Sequence, residues 1–191
     1  GCQHPISNNN TYLLHKRGWS GINVDLDKKN IELFNFLRKK DYNIEIAVSS
    51  ENNQKELFFY HDKSPINTLE KRVRDHRDTK EKEIRKVNTV TLNSLIENSP
   101  LKNSKFNFLT IDVEGHELDV IKGFDLKKYE PEVIVIEHLD LSTKKLEIKN
   151  LNINNIINSD LYKLMLNNNY SFVNWSHADL VFVNNKFKDK K

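Results

Sequence analysis

Cysteine is nearly missing from this chain of 191 residues, which carries a single one, Cys2. A lone thiol excludes a disulfide framework and a cysteine-rich zinc site. No apolar run exceeds a few residues, far short of the ~20 that a membrane-crossing helix needs. No basic-then-apolar leader opens the sequence, so no secretory signal is visible and a cytoplasmic location is the expectation. An excess of one charge is lacking too: 30 Lys and Arg against 27 Asp and Glu leave +3. The two signs are mixed along most of the chain, and that balance does not point to nucleic acid. Glycine (5) and proline (4) are scarce while asparagine and lysine abound, which reads as drift in surface composition.

What is present argues for a folded α/β chain. Hydrophobic residues make up 37% and charged residues 30%. That is polar, but the apolar segments recur too regularly for disorder. The length predicts a single domain, over residues 1–185, followed by a basic tail at 186–191. Polar Ser7 to Asn10 before Thr11-Tyr12-Leu13-Leu14, with Gly18 after Lys16-Arg17, predict a short capped helix. Gly21 to Asp25 reads as a buried strand. Ile31, Leu33, Phe34 and Leu37 predict an amphipathic helix over about 28–39. Strands are expected at Asn43 to Val48, Glu56 to Tyr60, Val87 to Leu92, Phe106 to Asp112 and Glu132 to Glu137. Short helices are expected from Leu92 to Ile96 and from Glu117 to the glycine stop at Gly123. The signal fades from Leu139 to Asn158. A helix over Asp160 to Asn168 then precedes two strands, Tyr170 to Trp175 and Asp179 to Val183, joined around Ser176-His177. Strands alternating with helices predict a parallel sheet, and the closing hairpin makes it mixed. Glu70 to Lys86 is mostly charged with both signs interleaved. It reads as a solvated helix or mobile excursion, expected to lie over the mouth of the site without a nucleic-acid role; a lid or a polyanion contact is the sharper alternative.

In a doubly wound sheet, ligands sit at the carboxyl ends of the strands. Three expected strands end in polar groups there: Asp25, the Ala47-Val48-Ser49 step, and Asp112. Asp25 lies about 24 residues after Gly1-Cys2, a spacing that suits an acid accepting from the hydroxyls of a nucleoside ribose. The competing reading is that Asp25 or Asp27 caps the next helix. The densest stretch is Asp112-Val113-Glu114-Gly115-His116-Glu117, directly after a buried strand. Gly115 allows a sharp turn or a close approach. Helix-dipole stabilisation accounts for Glu117 but less well for Asp112 and Glu114, which precede the turn. No second histidine follows at the spacing of a helical zinc protease. Asp112 and Glu114 can offer oxygen ligands, but there is no clean metal signature.

Asp112-Val113-Glu114-Gly115-His116-Glu117 with Val120-Ile121-Lys122-Gly123 resembles the signature of the FkbM-type S-adenosylmethionine-dependent methyltransferases. Gly1 to Pro5 with Asn9 to Leu14 resembles the end of the first motif in one branch of that family. Gly18 to Asp25 is similar to its second strand, Ala47-Val48-Ser49 to its adenine-side step, and Pro131 to Glu137 to its fifth strand. The likeness spans about residues 1–140. It implies a Rossmann-like class I methyltransferase sheet, mostly parallel, with an antiparallel C-terminal hairpin. It also implies methyl transfer from S-adenosylmethionine to a hydroxyl of a sugar, glycan or natural product. Gly1 and Cys2 would line the methionine end of the cofactor. Asp25 would hold the ribose, Ala47 would pack near the adenine, and Asp112, Glu114 and His116 would face the methyl group and acceptor. A hydroxyl acceptor needs its proton removed; His116 and Asp112 are the candidate bases, and Glu114 would bind a hydroxyl or orient His116. No metal is required. One departure stands out: the apolar first strand and the acid before the glycine are absent. The strands ending at Asp25 and Asp112 should then have unpaired inner edges, and the parent chain is expected to supply the strand. A non-catalytic nucleotide- or nucleic-acid-binding Rossmann-like module is the runner-up, resting on the basic residues of 71–86 and the tail, and a dehydrogenase-like domain is a third reading.

Overall fold

The structure, a computed structural model, describes residues 1–142 and 152–188. The faded stretch after Leu139 and the end of the basic tail lie partly outside those residues. The expected mixed α/β architecture is the one observed. Helix α1 (Tyr12–Lys16) leads into β1 (Ile22–Asp25), α2 (Lys28–Leu37) and β2 (Tyr42–Glu45). Asp27 starts α2 by accepting from the Lys29 N–H at 2.8 Å, and one face of the helix buries Asn30, Ile31 and Phe34. β1 and β2 pair in parallel, Ile22 opposite Tyr42 through Asp25 opposite Glu45. Arg38, just past α2, is 2% exposed and ties down the amino-terminal segment. Its guanidinium donates to the Pro5 carbonyl, the Thr11 hydroxyl and the Asn9 side chain.

The strand expected over Asn43 to Val48 is divided between two partners. The chain continues from β2 through Ile46, whose N–H donates to the Asp25 carbonyl at 2.9 Å. It then becomes β3 (Ala47–Val48), which pairs in parallel with β5 (Glu83–Val90). β4 (Asn53–Phe59) pairs antiparallel with β5, completing a three-stranded sheet in the order β3-β5-β4. The charged stretch from Glu70 fills the end of the segment between β4 and β5, and its last residues, Glu83 to Lys86, open β5; most of it is exposed, as expected. It forms α3 (Lys71–His76), and Val73 in that helix is 1% exposed.

After α4 (Leu92–Glu97), β6 (Phe108–Ile111) pairs in parallel with β7 (Val133–Glu137) across α5 (Glu117–Lys122) and α6 (Leu126–Tyr129). Following α7 (Ile153–Ile157) and α8 (Asp160–Asn167), β8 (Tyr170–Ser176) and β9 (Asp179–Asn184) form the expected hairpin. The order is β6-β7-β9-β8, with β9 antiparallel to both neighbours. This sheet holds the densest core: Ile134 and Ile136 on β7, Leu180 and Phe182 on β9, and Met165 on α8 are all fully buried. The apolar alternation of those strands places one set of side chains on each face, as helix-covered strands require. Among the described residues no helix is long and apolar enough to cross a membrane.

Candidate active site

The carboxyl ends of β1, β3 and β6 converge on a cavity of about 80 Å³. Gly1, Asp25, Ala47, Asp112 and Glu114 all line it, so five of the seven residues singled out in the sequence come together. Gln3, Asn30, Ser64 and Asn67 line it as well, and nothing in the sequence pattern marked them.

Asp25 forms one wall. It is 7% exposed, and its partners are two neutral backbone donors: Gln3 N–H on Oδ2 and Asp27 N–H on Oδ1, each at 2.8 Å. A carboxylate oxygen has a second lone pair, so both can still accept. Capping of α2 falls to Asp27, leaving Asp25 directed to the cleft. Gly1 packs against the same wall: a Cβ there would lie 3.2 Å from Asp25 Oδ2 and 3.4 Å from the Asp112 carbonyl.

The opposite wall is the turn after β6. Glu114 and Gly115 both have positive φ, 57° and 94°, so the chain reverses sharply within two residues. Gly115 is required twice over, since a Cβ would also approach Val73 Cγ2 to 2.4 Å. Buried Glu117 braces the turn from inside, accepting from the Val113 and Gly115 N–H groups at 2.9 and 3.1 Å. Burial pushes its carboxyl up to about 7 against the pull of those bonds. Glu114 turns back to Arg77 at 2.5 Å. Its carboxyl is pushed up to about 8, first by burial and then by the Asp112 charge, with Arg77 opposing. Glu137, at the end of β7, is pushed up to about 11 by burial and by Asp112, Glu114 and Glu117. Asp112, Glu114 and Glu137 each place an oxygen within 4.8 Å of the others, a geometry able to hold a cation. Glu70, His116 and Asp119 form a second such group.

Two sequence-predicted residues stand outside the cleft. His116 is 2% exposed, with Nε2 3.0 Å from Ser49 Oγ and Nδ1 2.6 Å from Glu70 Oε1. Its ring nitrogens face Ser49 and Glu70, so it joins the end of β3, the start of α5 and the entry to α3 behind the cleft wall. Cys2 lines a separate cavity between β1 and β6, and burial pushes its thiol pKa up. The charged excursion contributes more than expected. Besides Glu70 and Arg77, Arg72 reaches the Gly115 carbonyl at 3.4 Å, and just ahead of the excursion the Thr68 hydroxyl donates to the Glu114 carbonyl at 2.7 Å. The interleaved signs in that stretch were the available signal, since alternating charges that find distant partners read like a solvated face.

Compared with known families, residues 2–172 match the methyltransferase FkbM domain. Among curated proteins and among solved structures, none matches. The family match favours neither a nucleic-acid-binding module nor a dehydrogenase.

Proposed function

From the premise that the chain belongs to the methyltransferase FkbM domain family, we propose that it transfers a methyl group from S-adenosylmethionine to a hydroxyl of a sugar, glycan or natural product. The observation that carries this reading is the meeting of Gly1, Asp25, Ala47, Asp112 and Glu114 at one cleft on the carboxyl ends of three strands. A Rossmann-like class I methyltransferase arrangement is consistent with the parallel pairs β1–β2 and β6–β7 and the antiparallel closing hairpin.

The donor set fits the cofactor. Asp25, bonded to backbone N–H groups and retaining lone pairs, suits a ribose diol. Ala47 leaves room for a flat ring, and Gly1 lets backbone approach closely. S-adenosylmethionine supplies a methyl group on a sulfonium, open to direct displacement. The protein aligns the acceptor, excludes water and takes up the hydroxyl proton. Glu114 is suited to proton uptake, because a carboxyl raised to about 8 is a stronger base than an ordinary one once ionised. Burial first, and then the charge of Asp112 beside it, keep that value raised. His116 acts as a positioning residue, anchoring Glu70 and Ser49 and thereby holding the α3 segment against the turn.

Titration calorimetry with S-adenosylmethionine, NAD and a mixed nucleic-acid pool tests the reading, followed by methyl transfer to a panel of hydroxyl, amine and carboxylate acceptors. Binding of S-adenosylmethionine alone and product formed on hydroxyls are expected. Preference for NAD, or methylation confined to amines, contradicts it.

A further inference from the structure

Behind the cleft wall, one nitrogen and two carboxylates turn toward a common point. Glu70 approaches from the entry to α3, and His116 and Asp119, three positions apart, from α5 and the residue before it. Their ligand atoms lie within 4.8 Å of one another. The His116 ring is buried, while both carboxylates are partly exposed. His116 Nδ1 is 2.6 Å from Glu70 Oε1 and 3.7 Å from Asp119 Oδ2. An imidazole nitrogen carries at most one proton, so it can bond to only one of the two acids. Asp119 is left with contacts too long for hydrogen bonds: Lys55 Nζ at 3.9 Å from Oδ2 and Lys122 Nζ at 3.8 Å from Oδ1. Arg72 approaches the other oxygen of Glu70, Oε2, at 3.4 Å and leaves Oε1 to the ring.

The second ring nitrogen has the partner that a metal-bound imidazole requires. Nε2 lies 3.0 Å from Ser49 Oγ. Ser49 is fully buried, and its own N–H donates to the Val90 carbonyl at 2.9 Å, which fixes it to the β3–β5 pair. A ring proton on Nε2, donated to that hydroxyl oxygen, directs the Nδ1 lone pair at the two carboxylates. Ligands spaced i, i+3 on one helix face, joined by an acid from another segment, are a recurrent way to build a metal site. One imidazole with two carboxylates suits a zinc-type ion, whereas Mg²⁺ favours oxygen alone. The exposed side of the carboxylates leaves room for water as a further ligand.

We infer that Glu70, His116 and Asp119 form a site for a divalent transition metal of the zinc type. None of the three lines the cleft, so the site is separate from the proposed cofactor and methyl acceptor. The ion takes the place of the proton between His116 and Glu70 and gives Asp119 a partner as well. It thereby fastens the segment between β4 and β5 to α5, next to the turn that carries Glu114.

Titration calorimetry of zinc chloride into the whole chain, with no cofactor present, tests the assignment. Zinc is expected to bind and to raise the melting temperature by at least about 3 °C at saturation, whereas Mg²⁺ at the same concentration should do neither. Asp119→Asn, Glu70→Gln and His116→Gln should each weaken zinc binding at least about tenfold, and Ser49→Ala, which removes only the hydroxyl behind the ring, about 10–100-fold. Asp119→Asn keeps the size of a partly exposed side chain, so it decides the matter should His116→Gln fail to fold. Unchanged zinc affinity in Asp119→Asn overturns the inference. So does zinc binding lost in Glu137→Gln but kept in Asp119→Asn, which would move the ion to the group of Asp112, Glu114 and Glu137. Mg²⁺ bound as tightly as zinc overturns it too, since the imidazole would then take no part.

Discussion

The two walls of the cleft are built from the same kind of residue and set it in different surroundings. Asp25 receives two neutral backbone N–H bonds and is directed into the cleft. Glu114 sits among Asp112, Glu117 and Glu137 with Arg77 as its counter-ion, and its carboxyl is pushed up to about 8. A carboxylate held in place by two backbone N–H groups, with lone pairs to spare, is a fixed acceptor for ligand hydroxyls. One destabilised by burial and neighbouring acids becomes a base that gains from taking a proton. In the proposed reaction the wall on β1 serves binding and the wall after β6 serves chemistry.

The largest expected effect comes from removing the reactive wall's charge. Glu114→Gln should lower turnover about 10²–10⁴-fold at saturating cofactor. Steady-state kinetics on a hydroxyl acceptor measures it, and Asp112→Asn should shift the pH profile rather than abolish activity. Full turnover in Glu114→Gln would move the base elsewhere.

Next is the scaffold of that wall. Gly115→Ala forces a side chain into a left-handed backbone position and against Val73, so a loss of about 1–3 kcal/mol is expected in urea melts. Pairing it with Val73→Ala should recover part of the loss by making room, whereas Gly21→Ala, where a Cβ meets nothing within 4 Å, should cost far less.

A smaller effect is the response to pH. Glu114 and Glu117 are raised from 4.5 to about 8 and about 7, so between those values the folded state binds more protons than the unfolded one. Their contribution to stability is complete below about 4.5 and is lost as pH rises through 7 to 8. Thermal melting should therefore fall by a few degrees across that interval, on the order of 1 kcal/mol. The Glu114→Gln variant should show a flatter dependence.

The sequence made the repetitive parts of this molecule readable and left the long-range ones hidden. Strands β7 and β9 announce themselves because Val-Ile-Val-Ile and Leu-Val-Phe-Val must be covered on both faces. The cleft residues Asp25 and Asp112 could be found because a strand end fixes where its terminal side chain emerges. α7 could not: its Ile-Asn-Asn-Ile-Ile sequence has little helix preference, and the Asn152 cap and tertiary packing set it. The switch of partner from β1 to β5 at Ile46 leaves no trace in an alternating pattern. Glu70 and Arg77 meet His116 and Glu114 across 46 and 37 residues of chain, so the charged stretch read as a solvated one. His116 illustrates the same limit, since its place in the motif does not reveal whether the ring faces the cleft or the core.

Calorimetric titration of S-adenosylmethionine into the wild-type protein, Asp25→Ala and Glu114→Gln tests the division between the two walls most directly. The account predicts weaker binding by about 1–3 kcal/mol in Asp25→Ala, the scale of lost charge-assisted hydrogen bonds, and near wild-type affinity in Glu114→Gln. Unchanged affinity in Asp25→Ala, or an equal loss in both variants, would contradict it.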